Sequence, residues 1–147
     1  TKIGITSDKR YMKRTINNKK RFNQPLLFEG TERGNICFTD IDAVQEIDNH
    51  TFIIVESKVK DNSLTTGQRL LMERLCDKEW KNSIAIVVEH NVPIDKDVML
   101  KDIIVRKYRL RKDVWKTVVD NQMKFLDFYD GLCERWGVKK LLVKELL

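Results

Sequence analysis

Residues 35–59 read NICFTDIDAVQEIDNHTFIIVESKV, and the order of acids, turn and apolar run in them decides the fold. Residues 35–47 predict a strand that ends at the turn-forming trio Asp48-Asn49-His50. Residues 51–59 are rich in β-branched side chains and predict a second strand. A tight turn between two such runs makes an antiparallel hairpin. Strand residues two apart share a face, so Asp40 and Asp42 go together on the first strand, and Glu56 and Lys58 on the second. Pairing about the turn sets Asp42 across from residues 55–57, so each strand brings one carboxylate to a common point.

Outward from the hairpin, a polar loop at 61–63 leads to an amphipathic helix from Thr65 to Lys78, with Leu70, Leu71, Arg74 and Leu75 along one stripe. Residues 83–89 are a continuous apolar run and predict a strand buried on both faces. Residues 103–110 alternate and predict a half-exposed strand. Lys112 to Trp136 predicts one long amphipathic helix stopped by Gly137. The order β-β-α-β-β-α describes an α/β fold, a mixed sheet with helices packed on it. Residues 1–34 read as a basic arm with a turn near Pro25 and a loop at 29–34, ahead of a domain at 35–147. The apolar tail at 139–147 predicts a short helix, with docking of a partner or a second copy as the other reading.

The chain has 147 residues, enough for one core without staples. Its net charge is +6, which favours a polyanionic partner, although charge of this size also serves solubility. The three cysteines, Cys37, Cys76 and Cys133, have no C-x-x-C spacing. That argues against zinc ribbons and disulfide frameworks and sets the expectation of a reducing, cytoplasmic setting. The two histidines lie far apart, which gives no histidine-rich metal site. No apolar run approaches ~20 residues, so no membrane span is expected.

Clustered carboxylates repel unless a cation lies between them, and a hard ion such as Mg²⁺ prefers oxygen ligands and keeps several waters. Lys58, on the face of Glu56, can orient an attacking water and stabilise charge on phosphorus. A Glu-x-Lys pair on a strand is often only an exposed ion pair worth ~0–1 kcal/mol. Glu56, however, ends the apolar run Phe52-Ile53-Ile54-Val55, and a charge there needs a reason.

Thr39-Asp40-Ile41-Asp42, thirteen residues, Glu56-Ser57-Lys58 and then Gly67-Gln68 opening a helix resemble the PD-(D/E)XK nuclease superfamily over residues 36–90. Thr39 stands where the family's name pattern has proline. The resemblance implies a restriction-endonuclease-like core. It implies Asp42 and Glu56 as ligands of Mg²⁺ or Mn²⁺, helped by the backbone carbonyl of Ser57, with Lys58 as the catalytic lysine and Gln68 as an added glutamine near the active site. The string Ile41-Asp42-Ala43-Val44 favours Asp42 over Asp40 as the ligand. Glu29, Glu32 or Asp40 can supply a further acid. The activity implied is phosphodiester hydrolysis in DNA, with RNA left open as the alternative substrate, leaving a 5′-phosphate and a 3′-hydroxyl.

Candidate phosphate contacts are Lys13, Arg14, Lys19, Lys20 and Arg21 in the arm, with Arg69, Arg106, Lys107 and Arg109 in the domain. Trp80, Trp115 and Trp136 read as packing residues rather than base-stacking platforms. The rival expectations are a nuclease scaffold that binds nucleic acid or inhibits without turnover, and a subunit of a larger nuclease complex.

Overall fold

The computed structural model describes residues 24–139, which fall into two compact units. Of the described residues, the smaller takes in 24–38 and 138–139. It holds a tight turn in which Gly30 adopts a φ of 85°, which glycine tolerates without strain. The Arg33–Ile36 bridge and the tilted Phe28–Phe38 ring pair, 5.7 Å apart, complete it. The basic residues Lys13 to Arg21 and the tail beyond residue 139 lie outside the described residues.

The larger unit, Thr39–Gly137, is built on a five-stranded mixed sheet in the order β1-β2-β3-β4-β5. Its elements are β1 (Ala43–Ile47), β2 (Thr51–Val59), α1 (Thr66–Cys76), β3 (Asn82–His90), a 3-10 turn (Leu100–Asp102), β4 (Ile104–Leu110), β5 (Lys116–Thr117) and α2 (Phe125–Trp136). The β2–β3 pair is parallel and is bridged by α1, while the other pairs are antiparallel. This is an α/β fold, as expected.

The β1–β2 hairpin turns on Asp48 and Asn49, with φ of 48° and 61°. Successive left-handed residues match the twist of the flanking strands, and Asp and Asn tolerate them. Central β2 sends alternate residues to opposite faces. Ile53 and Val55 join Ile84, Ile86, Val88, Val105 and Phe125 on the α2 side. Phe52 and Ile54 join Ala85, Val87, Met72 and Cys76 on the α1 side. With both faces covered, β2 is buried from Thr51 through Glu56, and each buried Ile or Val contributes about 2 kcal/mol.

Two expectations need correction. The first strand is shorter than residues 35–47, and Asp40 and Asp42 precede it. The Ser57 N–H, which a longer β1 would pair with a backbone carbonyl, goes instead to Asp42 Oδ2 at 2.8 Å. A side-chain acceptor has displaced the ladder. The single helix over 112–136 is also absent, since only Phe125–Trp136 is helical, closed by Gly137 at φ 71°. Residues 112–124 instead cover the outer edge of β4. Lys107 pairs with Thr117 and Tyr108 with Lys116, while the Val105 and Phe125 N–H groups bond Met123 and Ile103 carbonyls at 2.9 and 2.8 Å. The edge of β4 would otherwise hold unpaired backbone groups. The β-branched run Val114, Thr117, Val118, Val119 and the Asp120 side chain, which accepts the Gln122 N–H at 2.8 Å, disfavour a helix there.

Candidate active site

The site forms on the α1 face near the C-terminal ends of the parallel strands β2 and β3, a general location for ligands in open α/β sheets. The hairpin register pairs Ala43 with Val55, and one step further along it sets Asp42 opposite Glu56. Glu56 continues the Phe52, Ile54 face toward α1 and is 7% exposed. Lys58 follows on the same face, its side chain 16% exposed and its ammonium 3.8 Å from Glu56 Oε1.

Gln68 connects them. Its Nε2 donates to Glu56 Oε1 at 2.9 Å, and its Oε1 accepts the Lys58 ammonium at 2.7 Å. That oxygen also accepts the Thr65 backbone N–H at 3.1 Å, and Thr65 Oγ1 accepts the Gln68 N–H at 3.1 Å. Thr65 and Gln68 thus form a capping box at the start of α1. The same box that starts the helix aims the glutamine side chain at the sheet.

Burial is the main cause that pushes the Glu56 carboxyl above its ordinary 4.5; the nearby Asp42 carboxylate adds to it and Lys58 pulls back. Asp40 lines a recess of about 10 Å³ beside Glu56, Gln68 and Leu71, about the space of one water. The structure thus brings Asp42, Glu56, Lys58 and Gln68 together, while Asp40 lines the recess without joining Asp42 and Glu56 in a three-acid group. Glu29 and Glu32 belong to the other unit, where both are exposed and Glu32 accepts the Gly30 N–H at 3.0 Å.

The donor set suits a small hard cation. Asp42 and Glu56 present carboxylates from neighbouring segments, with a single ammonium to offset their repulsion. Ser57 N–H points at Asp42, and a strand residue's N–H and C=O leave the same edge, so the Ser57 carbonyl also faces that side. Two carboxylates and a carbonyl fit an ion that keeps several waters. Among the described residues, no group of three or more His, Cys, Asp or Glu side chains converges.

The domain cations expected to meet phosphate have partners of their own. Arg109 is bound through both terminal nitrogens to Asp77 at 2.9 Å, and its side chain is 11% exposed. Its guanidinium fork is thereby occupied within the fold. Arg69 pairs with Glu73 one helical turn on, at 3.0 Å. Arg106 bonds Glu89, and Lys107 stands 5.0 Å from the centre of the Trp115 ring. Trp80 stacks on Phe52 at 4.9 Å, and Trp115 Nε1 donates to Glu73 at 2.7 Å, so both pack as expected.

The acids Glu73, Asp77 and Glu89 were not singled out from the sequence. Their roles depend on partners distant in the chain. The role of Thr65 had a legible signal, since Thr-x-x-Gln before an apolar run is the capping-box spacing. Among the described residues no helix is long and apolar enough to cross a membrane. Comparisons with protein-family models, with characterised proteins and with solved structures find no match for this chain, so the reading of its site stands on its own residues and their geometry.

Proposed function

We propose that this protein is a divalent-metal-dependent nuclease that hydrolyses phosphodiester bonds in DNA, with a core of the PD-(D/E)XK kind. The observation that carries the reading is the meeting of Asp42, Glu56, Lys58 and Gln68 on one face, with a buried carboxylate tied through one carboxamide to an ammonium. A buried acid with a perturbed proton affinity beside an oriented lysine is a common mark of a functional site.

Asp42, Glu56 and the Ser57 carbonyl would hold Mg²⁺ or Mn²⁺. When bound, the ion acts as a Lewis acid toward the phosphate and lowers the pKa of water. Lys58 places its positive charge where negative charge gathers on phosphorus in the transition state, and orients the attacking water. Gln68 holds that ammonium off Glu56, leaving two of its three protons for water and substrate. Asp40 accepts a proton or a water hydrogen bond at the rim of the recess. The net charge of +6 draws in the polyanion.

The test is a cleavage panel of duplex, branched, supercoiled and single-stranded DNA, and of RNA, with Mg²⁺ or Mn²⁺. The parent protein cleaves at least one substrate. Glu56→Ala and Lys58→Ala lose about 10²–10⁴-fold in rate while binding persists. Equal activity in all three proteins removes the proposal.

A further inference from the structure

The orientation of the Gln68 carboxamide follows from partners that have no choice of role. A backbone N–H and an ammonium can only donate, and an ionised carboxylate can only accept. Thr65 N–H and Lys58 Nζ both reach Gln68 Oε1, at 3.1 and 2.7 Å, and Nε2 reaches Glu56 Oε1 at 2.9 Å. Turning the amide over would set its NH₂ against two donors and its oxygen against a carboxylate. A protonated Glu56 would relieve only the last of these clashes.

We propose that Thr65 is a positioning residue whose backbone N–H holds the Gln68 amide in the one orientation that offers an acceptor to Lys58 and a donor to Glu56. The proposal rests on the nuclease reading above and names a residue that touches neither metal ligand. The N–H matters more than the hydroxyl, because Thr65 Oγ1 binds the main chain of Gln68 whereas the N–H binds its side chain. The helix start and the placement of the lysine charge are one structure: loosening the cap loosens the ammonium.

Thr65 has φ −70°, within the range a proline ring imposes. Thr65→Pro therefore removes the N–H at a compatible φ but takes the hydroxyl cap with it, Thr65→Ala removes the hydroxyl alone and keeps the Gln68 and Lys58 signals, and Thr65→Ser keeps both cap bonds. The experiment is NMR of the metal-free protein, paired with cleavage rates. In the parent, the two Gln68 NH₂ protons give well-separated signals, the Lys58 ammonium is visible, and the Thr65 amide exchanges slowly with solvent. Thr65→Ser retains the Gln68 and Lys58 signals. In Thr65→Pro the Gln68 pair moves to free-amide positions, the Lys58 signal is lost to exchange, and cleavage falls about tenfold, the effect of roughly one hydrogen bond of positioning.

If Thr65→Pro fails to fold, Gln68→Ala reads the same contact from the other side, and protection of the Thr65 amide drops at least about tenfold. Unchanged Gln68 and Lys58 signals in Thr65→Pro, or an unprotected Thr65 amide in the parent, overturn the proposal even if the parent cleaves DNA. A parent that shows the full signature yet cleaves nothing in the panel overturns the nuclease reading instead, and the positioning role with it.

Discussion

Lys58 Nζ stands 3.8 Å from Glu56 Oε1, an ion pair without a hydrogen bond between its members. Gln68 separates the two, binding each at under 3 Å. The ammonium thus lies close enough to offset the carboxylate while only one of its three protons is spent on Gln68.

Glu56 sets a pH dependence on stability in the metal-free protein. Its carboxyl is pushed above 4.5 by burial and by Asp42, so the folded state binds its proton more tightly than the unfolded chain. That contribution is full below about pH 4.5 and is lost as pH rises through the raised folded value. With EDTA present, Glu56→Gln raises Tm at pH 7, because the amide can donate to Asp42 while still accepting from Gln68. The gain shrinks as the pH is lowered through the raised folded value toward 4.5. Thermal melts across pH 4–8 measure it, and a variant less stable than the parent at pH 7 contradicts it.

Metal should stabilise the fold. Mn²⁺ or Mg²⁺ at about 100 times its Kd adds about 2.7 kcal/mol, a shift of roughly 5–10 °C in Tm. Asp42→Asn abolishes that shift without unfolding the hairpin, since the amide oxygen can still accept the Ser57 N–H. Calorimetry with Mn²⁺ gives the same answer independently. A parent that shows neither heat nor shift has no metal site.

The Asp77–Arg109 pair should report on structure alone. Arg109 holds Asp77 below its ordinary 3.8, so the pair stabilises above that pH and its contribution fades as pH falls through the depressed value. Asp77→Ala leaves a nearly buried guanidinium unpaired. It costs roughly 2 kcal/mol, toward the lower end for such pairs because Asp77 is itself about one-third exposed. Urea unfolding at pH 7 measures the loss.

DNA affinity should fall steeply with salt, with a slope of log K on log salt of roughly −3 to −5. Arg109→Ala leaves that slope unchanged while lowering Tm, because its fork is taken by Asp77. A slope reduced by about one unit in Arg109→Ala would restore its reading as a phosphate contact.

Local signals settled much of this protein. The Asp48-Asn49 turn, the β-branched run of β2, the apolar run of β3 and the stop at Gly137 each rest on backbone preferences or period, which short stretches carry intact. Hairpin arithmetic places Asp42 across from residues 55–57, because register about a tight turn follows residue count to within a step, and the register of the folded hairpin narrows this to Glu56.

Other features needed the tertiary structure. Residues 112–124 have an apolar spacing that a helix could use, but the open edge of β4 captures them, and the openness of that edge depends on sheet order, which leaves no mark on that spacing. The cations of α1 and β4 look alike in sequence; only packing shows Arg109 locked to Asp77 and Arg69 to Glu73. Gln68 carries the same letter whether it is solvated or central. Its meeting with Glu56 and Lys58 depends on how α1 crosses the sheet, because long-range packing, not local preference, decides which face of a helix meets which end of a strand.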